Sequence, residues 1–220
     1  MSRLGPRFLF LLFLGLGVQA IYAQELQYWP EIDFATAWRN IDLVAPALAR
    51  IDSDRPNPQF AGTGILADFH LPAKLTLTTG YLFVELPPYS TQVHAPLAAI
   101  SGSIKAGRLT VSDRNRFERL FGLGNVGRRA GLGAAPVRYR NRLLAETPLG
   151  SRWHLFASEE IFYDFEVSRW NQNRAQGGAG FRLSKPLLLD LYFIEQTARA
   201  PDRQTPVIGS TLRVDLSHGK

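Results

Sequence analysis

The residues best equipped for chemistry stand in two alternating rows. Arg114, Arg116 and Glu118 take every second position of one segment, and Arg138, Arg140, Arg142 and Glu146 recur with the same phase in the next. A period of two puts each set on one face of an extended strand, and antiparallel pairing would lay the two rows side by side. With Glu118 and Glu146 as acceptors, such rows form an ion-pair network that fills a narrow interior. With cations in excess, they offer forked donors to an anionic small molecule or lipid head group. The spacing admits both.

Other constellations are weaker. His154, Ser158 and Glu160 share the even face of one segment, and these residue types can form an activated nucleophile set, which gives a lipid hydrolase as an alternative function. Gly122-Leu123-Gly124-Asn125-Val126-Gly127 fits the glycine spacing of a dinucleotide site, but that chemistry needs a helix to follow the turn. Arg128 to Gly133 brings two more glycines and no helical period, so the stretch reads as a flexible loop. The four histidines, His70, His94, His154 and His218, show no metal-ligand spacing on one element, and there is no cysteine. No metal or cofactor is expected.

The elements that must position these residues are strands, because apolar side chains recur at every second position. Leu75, Leu77, Thr79, Tyr81 and Phe83 alternate with Lys74, Thr76, Thr78 and Gly80, and Leu187 to Ile194 and Ile208 to Leu216 alternate likewise. Turn residues divide the chain into eleven candidate strands at 28–38, 41–51, 60–71, 74–86, 92–104, 108–121, 137–146, 153–164, 173–183, 187–197 and 206–216. Short links at Arg39-Asn40, Pro72-Ala73, Lys105 to Gly107, Thr147 to Arg152 and Ser184 to Pro186 alternate with longer polar ones at 52–59, 87–91, 122–136, 165–172 and 198–205. An all-β, up-and-down antiparallel meander closed into a transmembrane barrel of about 10–12 strands has this layout. Bacterial barrels have even counts, so the odd eleven predicts that one strand is miscounted.

The first residues point to export. Arg3 and Arg7 precede an apolar run from Phe8 to Val18, too short to span a membrane as a helix, and Val18-Gln19-Ala20 or Ile21-Tyr22-Ala23 offers a cleavage site. Residues 1–23 are therefore expected to be a signal peptide, and 24–220 a single barrel domain. With no cysteine there is no lipid-modified start and no disulfide, so packing or a closed sheet must supply stability. Removing Arg3 and Arg7 from the 25 Lys and Arg leaves 23 against 19 Asp and Glu. That excess suits anionic surfaces such as outer-membrane lipid and gives no support to nucleic acid as a partner.

Three features favour a membrane barrel over a soluble periplasmic barrel that carries an apolar ligand. Ionisable residues crowd the polar faces of successive strands, aromatics such as Tyr28, Trp29, Trp38, Trp153, Tyr163 and Trp170 fall near segment ends, and an unclosed meander would expose two edges. Against them, Asp113, Asn115, Arg119 and Glu159 share the face expected to meet lipid. A bulge or a place above the apolar band would account for them.

A family resemblance adds to this. Gln27-Tyr28-Trp29-Pro30-Glu31, Thr79-Gly80-Tyr81-Leu82, the run from Arg114 to Phe121, the run from Val137 to Leu143, and Asn173-Arg174 followed by Gly178-Ala179-Gly180 are similar, in that order, to the bacterial exported family catalogued as domain of unknown function 2490. The resemblance implies an outer-membrane barrel of unassigned activity, with no catalytic residues to carry over. Leu216 to Lys220 lacks the terminal aromatic usual in outer-membrane barrels.

Overall fold

The structure, a computed structural model, describes residues 26–124, 126, 137–166, 168–199 and 202–219. The expected signal peptide and most of the glycine-rich stretch lie outside the described residues. Eleven strands follow one another: β1 (Gln27–Trp38), β2 (Ile41–Asp52), β3 (Arg55–Leu71), β4 (Leu75–Leu86), β5 (Thr91–Ala106), β6 (Leu109–Arg119), β7 (Val137–Leu149), β8 (Trp153–Asp164), β9 (Arg169–Arg182), β10 (Leu187–Arg199) and β11 (Asp202–Asp215). Each pairs antiparallel with its sequence neighbour, and β1 pairs with β11 to close the barrel.

The expected even count is corrected. Antiparallel alternation cannot run unbroken around a ring of eleven, so one seam must be parallel, and it lies between β1 and β11 from Gln27↔Val207 to Ala35↔Asp215. The parallel seam leaves no free edge. Two loops expected to be long are tight as well. β2 ends at Asp52 and β3 begins at Arg55, with register shifts beside Ile51 accommodating the extra residues, and β10 and β11 extend until Arg199 faces Asp202.

The strand phase divides the side chains into two environments. Ile65, Leu77, Ile100, Leu143, Leu155 and Leu191 point outward and are exposed, Ile65 by 58% and Leu191 by 57%. Leu86, Val93, Leu97, Glu118, Arg138 and Phe162 point inward and are buried. Trp29 corrects the expected aromatic belts, because it shares the inward phase of Glu31 and Ala35. Phe117, Tyr139, Tyr163, Phe165 and Trp170 do gather on the outside near one end, with ring centres 5.0–6.4 Å apart, while Trp153 and Phe181 meet at 4.5 Å toward the other.

No bulge rescues Asp113, Asn115 or Arg119, for β6 and β7 pair in continuous register. They satisfy one another instead. Asp113 accepts from Asn115 at 2.7 Å and Asn141 at 2.6 Å, Tyr139 donates to Asn115 at 2.5 Å, and Asn173 donates to Glu159 at 3.1 Å. Arg119 lies 4.8 Å over the Phe121 ring.

Inside, the narrow barrel alternates large and absent side chains. Phe156 faces Gly178 across β8 and β9, and Tyr192 of β10 faces both Gly178 and Gly209. The Tyr192 ring occupies the space a side chain at 209 would need, since a Cβ there would stand 1.9 Å from the ring. Gly209→Ala is therefore expected to displace Tyr192 and destabilise the barrel by about 1–3 kcal/mol, the usual cost of overpacking. The midpoint of urea unfolding in detergent measures it.

Candidate functional site

The rows of β6 and β7 do lie side by side, with Arg114 opposite Arg142, Arg116 opposite Arg140 and Glu118 opposite Arg138. Glu118 is only 3% exposed. Its Oε1 accepts from Arg138 Nε at 2.6 Å, and its Oε2 accepts from terminal nitrogens of Arg116 at 2.7 Å and Arg140 at 3.4 Å. Glu160 of β8 is the second hub. It accepts from Arg114 at 2.8 Å and from Arg140 at 2.8 and 3.2 Å, and Arg174 of β9 stands 3.7 Å away. Arg140 thus bridges both carboxylates.

Aromatic rings complete the layer. Phe162 is wholly buried, with the guanidiniums of Arg138, Arg140 and Arg174 at 5.2, 4.7 and 4.7 Å from its centre. Trp29 of β1 receives Arg50 at 4.2 Å and Arg174 at 4.9 Å, and Arg50 also lies 4.3 Å over Phe60. Ring faces attract cations, most strongly where water is excluded. Side chains from β1, β2, β7, β8 and β9 therefore meet at one level of the barrel. Beyond that level, toward the end where the segment after β6 emerges, Leu123 is 2% exposed and packs with Phe60, Val84, Leu86, Val93 and Leu120. The chain enters there through Gly122, whose φ of +91° and close approach to the Gln92 carbonyl leave no room for a side chain. This turn, with the backbone pairing of Phe121 and His94, is the structural use of the first glycine in that run.

Not every expected partner joins. Glu146 faces Thr110 and Phe156 and forms no ion pair among the described residues, because it lies four positions beyond Arg142, about 14 Å along the strand. Glu160 takes its place, so the acceptor proposed for one function serves another. His154, Ser158 and Glu160 are not brought together: His154 Nε2 stands 3.2 Å from Asp190 Oδ1, Ser158 donates to Gln176 at 3.3 Å, and Glu160 is held by arginines. Residues two apart on a strand face are about 7 Å apart, beyond hydrogen-bond reach. Among the described residues, no group of three or more His, Asp or Glu is placed to hold a metal.

Sequence reasoning did not find Arg50, Arg174, Trp29 or Phe162. Strand β2 is apolar on both faces around Arg50, and Asn171-Gln172-Asn173-Arg174 is polar on both, so neither phase identified the inner side. The inward phase of Trp29 was legible from Glu31 and Asp33, which share it.

These features define a closed β-barrel with buried charged and aromatic side chains meeting inside it. The chain belongs to the family described as protein of unknown function (DUF2490), which it matches over residues 21–205. No curated protein matches it. Among solved structures it is similar to one titled KdgM porin, with 11% identity, a TM-score of 0.49, and coverage of 86% of this chain and 94% of that one.

Proposed function

We propose that this protein is exported to the bacterial outer membrane and spans it as a barrel that binds an anionic group inside rather than conducting freely. The observation that carries the reading is the crowded interior, in which wholly buried Phe162 is ringed by three guanidiniums. About eight strands enclose little more than their own side chains, and eleven enclose somewhat more, so large inward side chains leave space for a small ion rather than an open channel. The outward apolar face, with aromatics toward both ends, supports a lipid surround. Lipid hydrolysis by His154, Ser158 and Glu160 gains no support, since each has a different partner.

Fractionation and conductance test this together. The mature chain is expected to begin near Ile21 or Gln24 and to sediment with outer membranes. Reconstituted in a planar bilayer, it is expected to show no steady open pore. Recovery in the soluble periplasm would refute the membrane assignment, and a persistent ohmic conductance would refute the filled interior.

A further inference from the structure

The arginine layer is richer in charge than its own carboxylates can balance. It holds seven guanidiniums, those of Arg50, Arg174 and the five inward arginines of β6 and β7, Arg119 being on the outer face. Around them stand five carboxylates, Glu118 and Glu160 within the layer, Glu31 on β1, Asp164 opposite Arg138, and buried Asp52 two residues from Arg50 on β2. Charge buried in excess is costly unless a counter-ion accompanies it. Some of the layer's donors are left without an acceptor. Buried Nε groups of Arg114, Arg116 and Arg142 have no hydrogen-bond partner. Arg114 and Arg142 are direct partners across β6 and β7, and Arg116 is the next inward residue. Arg114 and Arg116 direct terminal nitrogens to Glu160 and Glu118, whereas Arg142 forms no ion pair among the described residues.

We infer that this wall of Arg114, Arg116 and Arg142 is a binding site for a tetrahedral oxyanion, a phosphate group carried either as free phosphate or on a lipid head group. Three N–H donors from separate guanidiniums suit an acceptor with oxygens in several directions better than a planar carboxylate with two. The anion would supply the charge that the layer lacks, and Arg142 would be its principal fork. The inference rests on the interior being the binding compartment.

The test uses the full mature chain purified in mild detergent. In phosphate-free buffer, calorimetric titration with inorganic phosphate is expected to show one site per barrel, with acetate binding at least about tenfold more weakly. Arg142→Gln breaks no direct ion pair, although Glu160 and Glu31 attract Arg142 across the interior, so its unfolding midpoint is expected to fall by less than that of Arg140→Gln while phosphate weakens by about ten- to a hundredfold, the worth of one charge-assisted hydrogen bond. Should that variant fail to fold, Arg142→Lys keeps the charge without the fork and is expected to lose affinity in the same direction. Solvent extraction separates the sources: phosphorus recovered in the lipid extract at one per chain assigns a head group, and exchangeable phosphate without it assigns the free ion. Absence of both phosphate binding and extractable phosphorus, or unchanged affinity in the Arg142 variants, would overturn the site. A barrel that conducts yet binds phosphate would refute the filled interior alone; a closed barrel indifferent to phosphate would refute this site alone.

Discussion

Glu118→Gln is expected to lower the stability of the barrel by about 3–5 kcal/mol, the cost of removing one partner from a buried, hydrogen-bonded ionic set. Glu118 is the meeting point of Arg116, Arg138 and Arg140, and its side chain is almost completely enclosed. A neutral amide of the same shape keeps one acceptor oxygen but leaves those guanidiniums short of a counter-charge. Arg140→Gln is expected to cost a comparable amount, because Arg140 joins Glu118 to Glu160. The two substitutions act on one network, so the double variant is expected to lose about as much as either single one rather than the sum. Urea unfolding of all four proteins in detergent measures the cycle. In a water-filled interior each change would cost about 1 kcal/mol or less, and small, additive losses would refute the dry brace.

Leu191→Arg is expected to cost about 2–4 kcal/mol if its level lies near the membrane midplane, where a charged side chain on the lipid face is most unfavourable. Leu191 projects outward from β10 at 57% exposure, while the adjacent Asp190 projects inward toward His154. Asp190→Arg is expected to be the milder change, although it places a cation beside that histidine. Heat-modifiable migration on gels, together with urea unfolding in lipid vesicles, ranks the two. Equal tolerance, or the reverse order, would show that the outer face meets water. Such a result would leave the strand phases intact and reverse only the environment assigned to them.

Much of the fold was legible because strand alternation is a local property. The outward sets of β4 and β10 follow from leucines at every second position, and the tight links at Gly107 and Gly150 follow from glycines that adopt positive φ. The ends of strands were less legible. Around residues 52–59, prolines and polar residues read as a loop, but register shifts at Ile51 carry the extra residues and pairing continues to Arg55. The arginine rows were visible as rows for the same local reason, and their mutual alignment depended only on β6 and β7 being neighbours. The partners from β1, β2 and β9 were invisible, since contact across a barrel interior leaves no fixed spacing in sequence.

By itself, then, the amino-acid sequence determined an all-β meander, the phase of most strands, and the side-by-side placement of Arg114, Arg116 and Glu118 with Arg138, Arg140 and Arg142. Each depends on period-two geometry or on pairing between consecutive strands. Only the tertiary structure decided that eleven strands close through a parallel β1–β11 seam, that Trp29 meets Arg50 and Arg174, and that Glu160 rather than Glu146 balances the second row. It also decided that Asp113, Asn115 and Glu159 remain outside, held by hydrogen bonds from Asn141, Tyr139 and Asn173 of neighbouring strands. The physical reason is common to all of these: closure and barrel diameter determine which distant side chains meet, and both are properties of the whole ring of hydrogen bonds rather than of any one strand.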